Sequence, residues 1–229
     1  MFEVIAFDAD DTLWHNESIF TMTQIKFREM LSSHGKEVVD QTLFSTQIKN
    51  LQHFGYGIKG FILSMIETSI ELTDGEVSGN EIQRILNFGR EMLEAPIELL
   101  PHTREVIEEL SQKYSLFLIT KGDLIDQETK IARSGLAEFF DAVEIVSDKT
   151  AEVYSKILFR HKIEAPHFLM IGNSMRSDIV PIVEIGAHAV HIPYLSTWEH
   201  EQDHPPVDSK HYSKLEHLGL LPELIKEKE

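Results

Sequence analysis

Four short apolar segments, each ending at a cluster of polar residues, constrain the fold of this chain more than any other feature of its sequence. They occupy residues 2–7, 116–119, 168–171 and 189–192. Segments of this length with such boundaries are typical of buried β-strands. Apolar residues at helical spacing lie between most of them, over residues 103–113, 127–134, 151–161 and 177–185. Strands and helices therefore alternate, which predicts an α/β fold with a doubly wound parallel sheet.

Glycine and proline positions support these boundaries. Gly135 and Gly186 directly follow two of the predicted helices, where a left-handed backbone conformation that favours glycine often closes a helix. Pro181 falls in the first turn of the last helix in that series, where proline is tolerated. The polar, proline-containing segment 201–210 predicts a surface loop before a final helix that ends in the sequence EKE.

The stretch between the first two predicted strands has a different pattern. Residues 18–32, 38–51, 58–72 and 79–94 all show helical spacing of apolar residues, and no convincing strand separates them. This pattern predicts an all-helical domain inserted after the first strand. We therefore assign residues 1–14 and 95–229 to a Rossmann-like core and residues 15–94 to the insertion.

Charge and cysteine content narrow the possible functions. The 229 residues include 21 basic and 38 acidic side chains, a formal net charge of -17, which disfavours a nucleic acid polymer or an anionic membrane surface as a partner. A small phosphate ester would need a locally positive pocket and a divalent cation. The chain has no cysteine, so any metal must have oxygen or histidine ligands. An N-terminus without a basic leader or a long apolar run predicts a cytoplasmic protein.

Polar residues that follow three of the predicted strands are the candidates for chemistry. They are Asp8 with Asp10, residues 120–122, and residues 172–174. Ligands of open parallel sheets bind beyond the carboxyl ends of the strands, so these clusters should meet in one crevice. Asp8 and Asp10 are two residues apart and can approach a common point, where a cation would relieve their repulsion. One carboxylate could then act as a nucleophile while the other holds a proton.

The same residues resemble the signature of a known family. The sequence FDADDT at residues 7–12 matches the DxDx(T/V) motif of the haloacid dehalogenase-like (HAD) superfamily, which consists mainly of phosphohydrolases. Thr120, Lys149 in VSDKTAEVY, and the sequence GNSMRSD at residues 172–178 follow in the order of that family's other motifs. A lone DxD would be a weak signal, but four ordered motifs in the right strand contexts are a strong one.

The resemblance implies a role for each of the two motif aspartates. Asp8 would attack phosphorus, form an aspartyl phosphate and ligate Mg²⁺. Asp10 would act as general acid and then as general base, and its backbone carbonyl would be a further metal ligand. Phosphoryl transfer depends on positioning and on compensation of charge, which a metal ion and a cationic side chain would supply.

The second and third motifs imply the phosphate-binding groups. The hydroxyl of Thr120 would hydrogen-bond the transferring phosphoryl oxygens, together with the N–H groups of Lys121 and Gly122. Lys149 would balance the charge of Asp8 and of the phosphate. The Lys121 side chain itself could either contact substrate or point to solvent.

The fourth motif departs from the family pattern. Asn173 stands where the family usually has aspartate, and Asp178 follows five residues later. An amide oxygen can ligate Mg²⁺ but brings no charge, so the affinity for the metal should fall. Asp178 could compensate as a direct or water-mediated ligand, or it could be only the N-terminal cap of a helix.

The helical insertion resembles the C1-type cap of the family, which implies that it controls substrate selectivity. Its segment HFGYGIKGF, residues 53–61, contains three glycines in a helical region, which indicates a bend or loop. Tyr56 and Lys59 could contact substrate there, or the segment could be an ordinary turn between helices.

The prediction is a Mg²⁺-dependent phosphohydrolase for a small phosphorylated metabolite, present as a monomer or homodimer. One alternative is a metal-free 2-haloacid dehalogenase, which Asp10 disfavours because a halide leaving group needs no proton. Another is a catalytically weak protein that binds phosphate esters, which Asn173 suggests. A zinc site at His200 and His204 is disfavoured, because Pro205 and Pro206 indicate a loop there. Whether phosphate passes to water or to another acceptor stays open.

Overall fold

One parallel sheet organises the part of the chain that the structure, a computed structural model, describes, namely residues 1–206 and 210–228. Its six strands are β1 (Val4–Phe7), β2 (Ser115–Lys121), β3 (Ala142–Val146), β4 (Phe168–Gly172), β5 (His188–His191) and β6 (Tyr212–Lys214). Their order is β3-β2-β1-β4-β5-β6, and every neighbouring pair is parallel. The predicted α/β class with a doubly wound sheet is confirmed.

Helices connect the strands and form the insertion. They are α1 (Glu17–Met30), α2 (Lys36–Phe54), α3 (Ile58–Leu72), α4 (Gly79–Glu94), α5 (Thr103–Ser111), α6 (Leu124–Ser134), α7 (Ala151–His161), α8 (Val180–Glu184) and α9 (Leu221–Lys228). Among the described residues, none of these helices is both long and apolar enough to cross a lipid bilayer.

Both faces of the sheet are buried, which explains why its central strands are apolar throughout. Along β1, Ile5 and Phe7 pack into one apolar cluster, and Val4 and Ala6 pack into a second. Side chains alternate between the faces of a strand, so a run of apolar residues supplies both clusters at once. Each fully buried side chain of the size of Ile or Phe stabilises the fold by about 1.5–3 kcal/mol.

The chain divides into two compact units. The first comprises Met1–Glu17, Ile97–Lys121 and Gln127–Glu229, and it contains the sheet. The second comprises Ser18–Pro96 and Gly122–Asp126.

The second unit has an apolar core of its own, formed by α1 to α4. Phe27, Leu43, Met65 and Ile85 are fully buried in it. The start of α4 is fixed by a capping box, in which Ser78 and Glu81 satisfy each other's backbone N–H groups. The unit is therefore a helical bundle with specified helix ends.

Several sequence predictions of secondary structure are confirmed. Helices α3 and α4 begin and end at the predicted residues. Gly135 and Gly186 have φ angles of 67° and 78° after α6 and α8, the left-handed region that glycine tolerates. Pro181 lies in the first turn of α8.

Other predictions were wrong. Strands β3 and β6 were not predicted; they lie at the two edges of the sheet, and their half-buried residues do not form an apolar run. Residues 177–185 do not form one helix, because a π-helical turn over Met175–Ile179 precedes α8.

The predicted surface loop over residues 201–210 was wrong at its first residue. Glu201 ends a 3-10 turn, Glu199–Glu201, and is 9% exposed. Polar composition indicates a loop but does not reveal the partners that hold a charged residue inside the protein. Residues 207–209 of that segment lie outside the described part of the chain.

Candidate active site

The strand ends of the first unit bring most of the predicted site residues together. Asp8 directly follows β1, and its N–H donates to the carbonyl oxygen of Ile171 in β4 at 2.8 Å. Thr120 lies within β2, one residue before its end, and is 1% exposed. Because β2, β1 and β4 are adjacent and parallel, their carboxyl ends meet at one edge of the sheet.

Lys149 connects two of the motif carboxylates. Its ammonium Nζ lies 2.5 Å from Oδ1 of Asp8 and 2.7 Å from Oδ1 of Asp178, and all three residues are buried. Thr150 caps α7 by accepting the N–H of Val153, so Lys149 is held directly before a helix. The result is a buried cation shared by two acids, an arrangement that compensates part of their charge.

Burial and neighbouring charges shift the ionisation of this cluster. Burial raises the pKa of Asp8 to about 7, and the charge of Asp178 adds to that rise, whereas Lys149 opposes it. Burial lowers the pKa of Lys149, but Asp178 and Asp8 outweigh it, so its pKa is raised overall. Lys149 therefore stays cationic at neutral pH.

The Asp178 side chain packs against the backbone of Gly172. A Cβ atom on residue 172 would clash with Cβ, Cγ and Oδ2 of Asp178, so any other residue there would displace the carboxylate. Asp178 also accepts the N–H of Ser174 through Oδ2 at 3.0 Å. Ser174, rather than Asp178, caps the following turn, because its hydroxyl accepts the N–H of Ser177. The glycine thus gives Asp178 its place beside Lys149.

Asp10 has three hydrogen-bond donors of its own. Trp14 Nε1 donates to its Oδ1 at 2.7 Å, and Gln127 Nε2 donates to its Oδ2 at 2.8 Å. Lys130 Nζ lies 2.9 Å and 2.8 Å from the two oxygens. Both oxygens accept, which suits an ionised carboxylate.

Thr12 links the first motif to the fourth. Its hydroxyl lies 2.9 Å from Oδ2 of Asp8 and 3.3 Å from Oδ1 of Asn173. Oxygen atoms of Asp8 and Asn173 therefore lie on either side of one hydroxyl group, and Asp178 reaches Asp8 through Lys149.

These donors fit a hard cation such as Mg²⁺, which prefers oxygen ligands from carboxylates and amides. Within residues 1–206 and 210–228, no three His, Cys, Asp or Glu side chains form a metal-binding group by themselves. A cation here would therefore depend on the amide oxygen of Asn173 and on the backbone carbonyl of Asp10.

Lys121 does not point to solvent. Its Nζ lies 2.5 Å from Oε1 of Glu201 and 2.7 Å from the hydroxyl of Ser177. The other carboxylate oxygen of Glu201 accepts the hydroxyls of Ser174 and Ser177, both at 2.6 Å. Glu201 thus connects the end of β2 with the turn that follows β4.

The ionisation of Glu201 reflects these contacts. Burial raises its pKa, but Lys121 and the two serine hydroxyls outweigh burial, and the pKa falls to about 2. The nearby Glu17 shows the opposite shift, because burial, Asp11 and Glu201 raise its pKa to about 7. Burial also raises the pKa of Asp11, to about 6, although the N–H groups of Glu17 and Asn16 oppose the rise.

Three predicted residues lie in the second unit. Gly122, with a φ of 141°, begins the segment Gly122–Asp126. Lys59 on α3 pairs with Asp123 at 2.9 Å, and Tyr56 lies half-buried between Gly55 and Gly57. Gly55 and Gly57 have positive φ angles of 69° and 114°, so the predicted bend in this segment is present.

Sequence reasoning missed several residues of this arrangement, among them Thr12, Gln127, Lys130 and Glu201. Thr12 closes the FDADDT motif, and its position in that motif could have identified it. Gln127 and Lys130 are three residues apart on α6, a spacing that places them on one helix face. Glu201 had no sequence signal, because its contacts join residues that are far apart in the chain.

The chain is similar to known proteins over most of its length. The family model for haloacid dehalogenase-like hydrolases matches residues 2–186. A glyceraldehyde 3-phosphate phosphatase from Pyrococcus abyssi is 25% identical over 202 residues, which cover 85% of this chain and 82% of that protein.

Solved structures extend the similarity to the fold. A haloacid dehalogenase-like family hydrolase from Xanthomonas campestris has a TM-score of 0.89 and 36% identity, covering 99% of this chain and 91% of that protein. The magnesium-bound HAD hydrolase YfnB from Bacillus subtilis has a TM-score of 0.68 and 18% identity, covering 98% and 99%. At that lower identity the likeness concerns the fold alone.

Proposed function

The chain belongs to the haloacid dehalogenase-like hydrolase family, and we propose that it is a Mg²⁺-dependent phosphatase that hydrolyses a small phosphomonoester through an aspartyl phosphate on Asp8. The observation that carries this proposal is the buried ammonium of Lys149 between Asp8 and Asp178. A cation fixed beside a nucleophilic carboxylate compensates the charge of the phosphoryl group that the carboxylate attacks.

In the first step, a carboxylate oxygen of Asp8 forms a bond to phosphorus, and the bond between phosphorus and the ester oxygen breaks. Asp10 gives a proton to that oxygen, and the alcohol leaves. Asp10 accepts from Gln127 and Lys130 in the structure, so a proton on Asp10 must replace one of these donors during the first step.

In the second step, water attacks phosphorus of the aspartyl phosphate. Asp10, now ionised, takes a proton from that water, the bond between phosphorus and Asp8 breaks, and phosphate leaves. The hydrogen bonds from Trp14, Gln127 and Lys130 hold the Asp10 carboxylate in place for this second step.

Binding of the phosphoryl oxygens is assigned to the end of β2. We assign the hydroxyl of Thr120 and the N–H groups of Lys121 and Gly122 to this role, with Lys149 as the cationic partner. Asp8, the carbonyl of Asp10, Asn173 and Asp178 would hold Mg²⁺, which would supply further positive charge against the phosphoryl group. YfnB, which shares the fold, is bound to magnesium, and this makes Mg²⁺ the first cation to test here.

The helical insertion predicted over residues 15–94 is proposed as the family's cap domain, and most of it lies in the second unit, within Ser18–Pro96. Its relation to substrate choice is part of the proposal. The phosphatase from Pyrococcus abyssi is named for glyceraldehyde 3-phosphate, which makes three-carbon phosphate esters the first substrates to test.

The test is release of inorganic phosphate from p-nitrophenyl phosphate and a panel of sugar, nucleotide and three-carbon phosphates, with Mg²⁺ or with EDTA. We expect turnover with Mg²⁺ that EDTA abolishes. Turnover that is equal in EDTA, or no turnover across the whole panel, contradicts the proposal. Halide release from 2-chloropropionate in EDTA would instead indicate a dehalogenase, and tight ester binding without hydrolysis would indicate a binding protein.

A further inference from the structure

The lysines that contact the motif residues are already paired with acids. In the described part of the first unit, Lys149 pairs with Asp8 and Asp178. The ammonium of Lys130 is likewise paired with Asp10, and that of Lys121 with Glu201. A bound phosphoryl group would share the positive charge of Lys149 with Asp8 and Asp178. A second acidic group on the substrate would therefore need a different cation.

Lys121 is the lysine best placed to bind such a second group. It directly follows Thr120, and its Nζ bonds the hydroxyl of Ser177, which precedes Asp178 in the fourth motif. Its ammonium therefore lies between the phosphate-binding end of β2 and the metal-binding turn after β4. A free lysine at this position would attract a carboxylate or a second phosphate of the substrate.

Glu201 keeps that ammonium occupied. The side chains of Lys121 and Glu201 are only 14% and 12% exposed. Both oxygens of Glu201 are used, since one accepts from Lys121 and the other from Ser174 and Ser177. If Lys121 turned to a substrate anion, it would leave a buried carboxylate without its cation, which is unfavourable.

We infer that this site selects phosphomonoesters whose leaving group carries no negative charge, and that Glu201 determines this selectivity by holding Lys121 away from a second anionic group. The inference rests on the proposed phosphatase function. It assigns to Glu201 a role in specificity that lies outside the four motifs.

One other cation near these residues needs to be considered. Arg176 is exposed, and its guanidinium donates to the carbonyl oxygen of His200 at 3.3 Å, close in sequence to Glu201. Arg176 is therefore the alternative anchor for an acidic leaving group, and the experiment must separate it from Lys121.

The test compares glycerol 3-phosphate with 3-phosphoglycerate, two three-carbon esters that differ in a hydroxymethyl group and a carboxylate. For the wild-type protein with Mg²⁺, we expect kcat/KM to favour glycerol 3-phosphate by about tenfold or more, the effect of one uncompensated charge at a partly buried site. Glu201→Gln keeps an oxygen for the serine hydroxyls but removes the charge. It should lower KM for 3-phosphoglycerate and shift the ratio about tenfold towards that ester.

Glu199→Gln is the matched control, because it makes the same change on an exposed residue of the same 3-10 turn. It should leave the ratio unchanged. Equal kcat/KM values for both esters in the wild-type protein overturn the inference even if Glu201→Gln does not fold. A folded Glu201→Gln protein with the wild-type ratio of kcat/KM values also overturns the inference. The same holds if Arg176→Gln removes the activity on 3-phosphoglycerate.

Failure of the phosphatase proposal itself gives a different result. In that case, wild-type protein with Mg²⁺ releases no phosphate from p-nitrophenyl phosphate, glycerol 3-phosphate or 3-phosphoglycerate. Turnover of p-nitrophenyl phosphate without a preference between the two three-carbon esters contradicts only the role assigned to Glu201.

Discussion

Lys149, which is buried, and Lys121, which is half-buried, lie near the ends of neighbouring strands and have different acidic partners. Lys149 follows β3, has 1% of its side chain exposed, and lies between Asp8 and Asp178 of the family motifs. Lys121 ends β2, has 14% exposed, and pairs with Glu201, which belongs to no motif. Both positions combine a cation with an acid in a low-dielectric setting.

The difference separates two tasks. The partners of Lys149 are the proposed nucleophile and a proposed metal ligand, so its charge compensates groups that take part in the proposed reaction. The partner of Lys121 is tied to two serines, so its charge is withheld from the substrate. Variants of the Lys149 cluster should therefore affect the rate, and variants of the Lys121 cluster should affect specificity and stability.

The largest effect is expected for Asp8→Asn, which removes the proposed nucleophile and keeps the shape of the side chain. Activity on p-nitrophenyl phosphate should fall by at least about a thousandfold, as for loss of a nucleophile in other enzymes. Phosphate release under saturating Mg²⁺ measures this. Asp74→Asn, at an exposed turn with a φ of 49° that asparagine tolerates, is the control and should keep full activity. A drop of less than tenfold for Asp8→Asn would contradict its role.

Lys149→Met should have the next largest effect and sharpen the comparison of the two lysines. It leaves two buried carboxylates without their cation, so the free energy of unfolding should fall by about 3–5 kcal/mol. The folded fraction should lose about a hundredfold or more in kcat, because a fixed charge beside the phosphoryl group is lost. Urea denaturation and kcat measure the two effects.

Lys156→Met is the matched control for that substitution. Lys156 lies on α7, seven residues further along, and pairs with Glu152 while 68% of its side chain is exposed. The same change should alter the free energy of unfolding by less than about 1 kcal/mol. If both variants had the same free energy of unfolding, the buried Lys149 cluster would not contribute more to stability than the exposed pair of Lys156 and Glu152.

The two clusters also show how far the sequence predicts the structure. The sequence alone groups Asp8, Lys149 and Asp178, because they belong to family motifs that follow one another in a fixed order. The meeting of Lys149 with Asp8 across 141 residues follows from the parallel sheet. The Lys121 partner was not predictable, since Glu201 is 80 residues away in a polar segment without periodicity.

The elements of the fold also differ in how well the local sequence predicts them. Buried central strands and capped helices have strong local signals, such as the capping box of Ser78 and Glu81 at the start of α4. Strands β3 and β6 have weak ones, because an edge strand needs few apolar residues and is fixed by its neighbour in the sheet. Local sequence therefore predicts the centre of the sheet better than its edges.

Glu201→Gln should also change the acid stability of the protein. The pKa of Glu201 is lowered to about 2 in the folded protein, so its charge stabilises the fold above the unfolded-state pKa of about 4.5, and that stabilisation is lost as the pH falls towards 2. The variant should be less stable than the wild type by about 3 kcal/mol at pH 7. Urea denaturation should show that the difference in free energy of unfolding between variant and wild type becomes smaller at pH 3. A difference that is constant with pH would contradict the buried ion pair. Glu199→Gln should have the same free energy of unfolding as the wild type.

The smallest effect is expected at Asn173, which lies between the two clusters. Its Oδ1 is 3.3 Å from the hydroxyl of Thr12 that bonds Asp8, and the next residue, Ser174, bonds Glu201. Asn173→Asp adds a negative charge beside Asp8. Without metal, repulsion should lower the melting temperature; with Mg²⁺, binding should strengthen and the Mg²⁺ concentration for half-maximal activity should fall by about tenfold.

Thermal unfolding over a Mg²⁺ titration checks this independently of catalysis, since a ligand that binds the folded state raises the melting temperature. The shift caused by Mg²⁺ should be larger for Asn173→Asp than for the wild type. Asn80→Asp, on an exposed residue of α4, should leave the shift unchanged. An Asn173→Asp protein that needs as much Mg²⁺ as the wild type would show that residue 173 does not ligate the metal, and the low charge of the fourth motif would then have no bearing on metal affinity.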